Sequence, residues 1–124
     1  MWRRWNNNPC GKSIGDCAVR AVSAALGLTW YEAFDVLTAE ARSACDMPSA
    51  DAVWGAVLRN AGFNRSAISN SCPECYTAAD FCREHPRGVY VLAFGGHVAT
   101  VRDGVLLDSW DSSNETPIYY YRRA

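Results

Sequence analysis

Cys17 stands at the head of the stretch Gly15-Asp16-Cys17-Ala18-Val19-Arg20-Ala21-Val22-Ser23-Ala24-Ala25-Leu26-Gly27. Asp16 suits an N-cap and Gly27 the left-handed residue past the end, so the stretch predicts a helix that begins at a cysteine. The unpaired amides and positive dipole end of a helix N-terminus favour thiolate over thiol, which makes a nucleophile available near neutral pH. A free cysteine is more commonly a small buried hydrophobe. The chemical reading therefore needs a base and an orienting group elsewhere in the chain.

Both are found in one hairpin. His97 to Arg102 and Val105 to Trp110 read as strands joined by Asp103-Gly104, a strong two-residue turn signal. Such a loop pairs Arg102 with Val105, Ala99 with Asp108 and His97 with Trp110. His97, Asp108 and Trp110 then share a face, with Asp108 diagonally across from His97 at a Cα separation of about 7 to 8 Å. Parity thus selects Asp108 over Asp111 as the carboxylate that fixes the imidazole tautomer and stabilises its charged form; a three-residue loop would reverse the choice. Trp110, opposite His97, would shield the His–Asp bond from water and so strengthen it. Taken singly, a strand histidine in a structural hydrogen bond and a core tryptophan account for the same residues.

The elements that must position these groups follow from the rest of the chain. At 124 residues it is one domain, 1–124, large enough for a hydrophobic core. The arm 1–14, with Asn6-Asn7-Asn8-Pro9 and Gly11, reads as irregular and leads straight to Cys17. Thr29-Trp30-Tyr31-Glu32 is a capping box opening a second helix to about Arg42, with Tyr31, Phe34, Val36 and Leu37 as its apolar side. Ser49 is expected to cap a third helix to about Asn60, with Val53, Trp54, Val57 and Leu58 inward. Residues 63–68 suggest a short strand and Thr77 starts a short helix that ends before Pro86. Strands follow at 88–94, 97–102, 105–110 and 118–122. Helices first and antiparallel strands after make an α+β domain, the first helix packed on the sheet.

The residue order resembles that of the papain-like cysteine peptidases: a cysteine opening a buried N-terminal helix, then a strand histidine, then an acidic or amide residue followed by Ser-Trp. Asp108-Ser109-Trp110 is similar to their Asn-Ser-Trp, with Asp for Asn. Gly15-Asp16-Cys17 with Arg20-Ala21, Tyr31-Glu32, and Gly95-Gly96-His97 are similar to small papain-like proteins of bacteria and their phages. The resemblance spans about residues 13–122. It implies the papain-like fold, with N-terminal helices on a C-terminal antiparallel sheet. It also implies a thiol hydrolase acting on a peptide, isopeptide or other amide bond of a peptide or protein substrate. Cys17 would attack, His97 would carry the proton, Asp108 would orient His97, and a thioester would form. The oxyanion would rest on the Cys17 amide and one further donor. In that family a glutamine usually supplies it. This chain has no glutamine, and Asn8 is the expected substitute among Asn7, Asn8, Lys12 and Ser13. Deamidation, transglutaminase-type acyl transfer and a catalytically inactive protein-binding role stand as alternatives.

Composition and the remaining motifs bound the partners. A net charge of -1 points to no polyanion, and Arg3, Arg4, Arg122 and Arg123 read as solvated termini, so no nucleic acid is expected. No run reaches transmembrane length or resembles a signal peptide, so a cytoplasmic protein with reduced thiols and no membrane partner is expected. Cys72, Cys75, Cys82 and His85 form a C-x2-C-x6-C-x2-H string that competes as a zinc site. Its middle spacing is short and Cys82 follows Phe81 on a core-facing helix position, so the expectation is no metal and no cofactor.

Overall fold

The computed structural model describes residues 1–69 and 73–123. The elements run β1 (Trp2–Arg4), α1 (Cys17–Leu26), α2 (Trp30–Ala44), α3 (Asp51–Asn60), β2 (Phe63–Ala67), α4 (Ala78–Glu84), β3 (Val89–Phe94), β4 (His97–Arg102), β5 (Val105–Asp108) and β6 (Tyr119–Arg123). The strands form one six-stranded sheet in the order β1-β5-β4-β3-β6-β2.

The α+β class holds, with one correction to the sheet. It is mixed, because β1 lies parallel to β5 while the other pairs are antiparallel. The arm expected to be irregular over 1–14 therefore contributes an edge strand, Trp2 pairing with Leu106 and Arg4 with Asp108. Trp5 N extends the pairing with a 2.8 Å bond to Asp108 O. The Asp103-Gly104 turn has both residues at positive φ, 50° and 76°, the geometry that suits the twist of a two-residue hairpin. It sets Arg102 opposite Val105 and Thr100 opposite Leu107.

Both faces of the sheet are covered. On one, α1, α2 and α3 bury Val22, Leu37, Val53 and Leu58 against Phe63, Val91, Ala93, Val98 and Tyr121 of the strands. On the other, Phe81 and Cys82 of α4 lie on Leu92, Phe94, Ala99, Val101 and Leu106. Each large side chain buried in this way contributes roughly 1.5 to 3 kcal/mol. α1 is held to β4 by polar bonds as well: Thr100 Oγ1 donates to Ala21 O at 2.7 Å and Arg102 donates to Ala24 O at 2.8 Å.

Two helix expectations change. In α2 the capping box forms, but the buried stripe is Ala33, Leu37 and Ala41, while Tyr31, Phe34 and Val36 stay exposed. Small residues let α2 lie close to the alanine-rich α1. Ser49 is not the cap of α3, which starts at Asp51 behind Ala50 with no side-chain cap. No helix among the described residues is long and apolar enough to cross a membrane.

Candidate catalytic site

α1 begins at Cys17 and ends against Gly27 in the left-handed conformation, φ 68°. All its residues from Ala18 to Ala25 are buried, whereas Cys17 is half-buried. Asp16 does not act as a side-chain cap. Its buried carboxylate instead pairs with Arg20 one turn on and accepts from Trp30 Nε1 at 2.9 Å and Asn8 Nδ2 at 3.3 Å. The side chain at the head of α1 is thus turned away from the first-turn amides.

The structure also redirects Asn8, the expected oxyanion donor. Its Oδ1 accepts from the amides of Cys10 at 2.9 Å and Lys12 at 3.3 Å, while Nδ2 serves Asp16. Asn8 folds the loop before α1 and braces Asp16, and it does not line the cavity at the thiol. An asparagine whose amide is consumed by a tight turn is not presented to a substrate.

His97 opens β4 and Asp108 closes β5, at the same end of the antiparallel pair. His97 Nε2 lies 2.6 Å from Asp108 Oδ2, the partner that parity selects. Asp111 instead accepts from Ser113. Asp108 is 1% exposed, and every approach to its carboxylate is filled by a donor. Ser112 Oγ reaches Oδ2 at 2.6 Å, Ser109 N reaches Oδ1 at 2.8 Å, and the Arg20 guanidinium stands 3.5 Å from Oδ1. Burial alone would raise its pKa; the bonds from His97 and Ser112, the His97 charge and the Ser109 amide together hold it below the usual 3.8. β5 ends at Asp108, so Trp110 is not a strand partner of His97 as expected. Its half-exposed indole still packs on the imidazole, ring centroids 5.1 Å apart, and covers it from solvent on that side.

With Nε2 committed to Asp108, Nδ1 is the ring nitrogen left for Cys17, which is hydrogen-bonded to His97 and to the backbone of Val98. Burial pushes the thiol pKa up, but the His97 bond, the Val98 bond and the charges of His97 and Arg20 outweigh it and bring it below 9.0. For His97, burial disfavours the charged ring, yet the bonds to Asp108 and then Cys17 raise its pKa from 6.5 to about 9. The two shifts run the same way, drawing the proton off the sulfur and onto the imidazole. The pair faces a cavity of about 280 Å³ walled by Gly15, Ser49, Asp51, Trp54, Gly96 and Val98.

Two residues of this network escaped the sequence reading. Arg20 is buried and joins Asp16 to Asp108. The signal for it was a lone charge in an apolar helix four residues after an aspartate, since a buried charge must be paired. Ser112 offered no signal beyond its nearness to Asp108.

Among the described residues the zinc string does not come together. Cys72 lies outside the described residues, and Cys75 is disulfide-bonded, which corrects the expectation that the thiols are all reduced. Cys82 is buried in the second core, and His85 stacks on Phe81 with Nδ1 2.9 Å from Phe81 O. Among the described residues no group of three or more His, Cys, Asp or Glu is placed to hold a metal ion. No protein family, no curated protein and no solved structure matches this chain.

Proposed function

We propose that the protein is a papain-like cysteine hydrolase, with the papain-like fold, that acts on a peptide, isopeptide or other amide bond through Cys17, His97 and Asp108. The observation that carries the proposal is the continuous hydrogen-bonded line from the thiol at the start of α1 through the imidazole to a buried, fully partnered carboxylate. An inert core cysteine needs no such line.

In the first half-reaction the Cys17 thiolate attacks the acyl carbon. The carbonyl electron pair moves to oxygen, where the Cys17 backbone N–H at the helix end is one donor to the oxyanion. His97 gives its proton to the leaving amine as the C–N bond breaks, leaving a thioester and a neutral imidazole held by Asp108. In the second half His97 takes a proton from water, hydroxide adds to the thioester, and the thiolate leaves. An amine in place of water follows the same course to a transferred acyl group.

Reaction with a limiting amount of iodoacetamide near pH 7, followed by peptide mapping, tests the reading. Cys17 is expected to react at least about tenfold faster than exposed Cys10 and Cys45, and the advantage should vanish in His97→Ala. Equal rates at the three cysteines would overturn it.

A further inference from the structure

The cavity at Cys17 has one ionisable wall group that the reaction scheme leaves unused. Asp51 is the first residue of α3 and is exposed to solvent. Its Oδ1 accepts from Trp54 Nε1 at 3.2 Å, and Trp54 is itself buried and stacked on Tyr119 with ring centroids 6.2 Å apart. The indole therefore holds the carboxylate at the cavity wall instead of letting it range through solvent.

The chain carries eleven arginines, yet among the described residues Asp51 has no ion-pair partner within 4 Å. Arg65 places its guanidinium 4.0 Å over the ring of Tyr119 instead. Gly15, Ser49, Trp54, Gly96 and Val98 bring no charge to the cavity, and the Cys17 thiolate and His97 imidazolium offset each other. Counting the buried network behind them, four negative groups (Asp16, Cys17, Asp51 and Asp108) stand against two positive ones (Arg20 and His97). Asp51 is the one of the four left without a cation, and it faces the space that substrate must enter.

We infer that Asp51 selects a cationic acyl substrate, in which an ammonium or guanidinium close to the scissile bond lies against the Asp51 carboxylate while Cys17 attacks. The inference rests on the nucleophilic role given to Cys17 above. A carboxylate in the first turn of a helix also steadies the helix dipole, so the test must read something that a structural role does not move.

Methanethiosulfonate reagents of different charge provide that readout without knowledge of the substrate. The thiolate sulfur attacks the reagent's thiol sulfur, a mixed disulfide forms, and methanesulfinate leaves. Rates at Cys17 are measured by peptide mapping at low salt for a trimethylammonium-ethyl, a methyl and a sulfonatoethyl reagent, with Cys10 and Cys45 in the same chain as references. The preference of Cys17 for the cationic over the anionic reagent, relative to those references, is expected to fall about fivefold in Asp51→Asn. It should persist in Asp51→Glu and shrink in the wild type near 1 M salt, where the screening length is about 3 Å. Asn can still accept from Trp54, so the fold is kept. An unchanged charge preference in Asp51→Asn overturns the inference. A Cys17 that reacts no faster than Cys10 and Cys45 with the methyl reagent overturns instead the nucleophilic reading on which it rests, and the two failures are read separately.

Discussion

Replacing Asp108 by Asn removes one charge and almost no volume, which makes it the sharpest probe of how the Cys17 thiol is held below its ordinary pKa. His97 is held at about 9 against an ordinary 6.5. At about 1.36 kcal/mol per tenfold change in proton affinity, the site favours the imidazolium by on the order of 3 kcal/mol, net of the burial that opposes it. Two partners supply that, the Asp108 bond first and the Cys17 bond second. If Asp108 provides about 2 kcal/mol, its loss lowers the pH at which His97 titrates by about one to two units and shifts the balance from thiolate and imidazolium toward neutral thiol and imidazole.

The assay is the alkylation rate of Cys17 as a function of pH, read by peptide mapping on protein whose folding is checked by circular dichroism. The wild type should show a plateau through neutral pH and a second rise near 9 as the imidazolium loses its proton. In Asp108→Asn the plateau rate at pH 7 should drop by about tenfold and the upper rise should move down by about one to two units. Two superimposable profiles would refute the argument that Asp108 sustains the ion pair.

Other perturbations have expected outcomes of their own. Asp108 has a folded-state pKa below its ordinary 3.8, so its contribution to stability is complete above that pH and drains away as pH falls through the folded value. The gap in denaturation free energy between wild type and Asp108→Asn should therefore narrow from about pH 6 to about pH 2. Arg20→Met leaves Asp16 buried without its cation and takes from Asp108 the farther of its two, and should cost about 3 to 5 kcal/mol in urea denaturation, part of it recovered when Asp16→Asn is added. Gly55→Ala would ordinarily stabilise a helix interior, but here a Cβ would stand 2.6 Å from the hydroxyl of buried Tyr121, which accepts from Arg59. A loss of about 1 to 3 kcal/mol is expected, and a Tyr121→Phe background should relieve most of it.

The parts of the fold and site that could be read in the sequence are those written in short, local signals. Gly27 ends α1, Asp103-Gly104 sets the hairpin register, and that register alone distinguishes Asp108 from Asp111. The parts that could not be read depend on distant partners. β1 is three residues whose pairing partner lies about a hundred positions away, too short for any period to show. Asp16 suits a cap by type and position, but a buried arginine and an indole compete for its carboxylate and win. In α2 the large residues at 31, 34 and 36 suggest an inward face, whereas close approach to an alanine-rich helix requires small ones. Asn8 has the right chemistry for an oxyanion donor and the wrong obligations, since its own loop consumes it.

The geometry of the thiol and the imidazole is therefore inseparable from the register between α1 and the hairpin. Cys17 and Arg20 lie on the first turn of one helix, and the helix advances 1.5 Å per residue. Arg20 reaches Asp108 of β5, Ala21 O receives Thr100 of β4, and Ala24 O receives Arg102 of β4. These three contacts climb the helix and the strand together, so a slip by one residue would break all of them at once. β1 adds the last constraint by holding the backbone of Asp108, through Trp5 N at 2.8 Å and Trp2 Nε1 at 3.3 Å. Because a displacement of about 1 Å at reacting atoms can cost a hundredfold in rate, the proposed chemistry would depend on the polar bonds between helix and sheet as directly as the fold does. That arrangement brings Cys17, His97 and Asp108, the proposed nucleophile, base and orienting group, together from one helix and one hairpin.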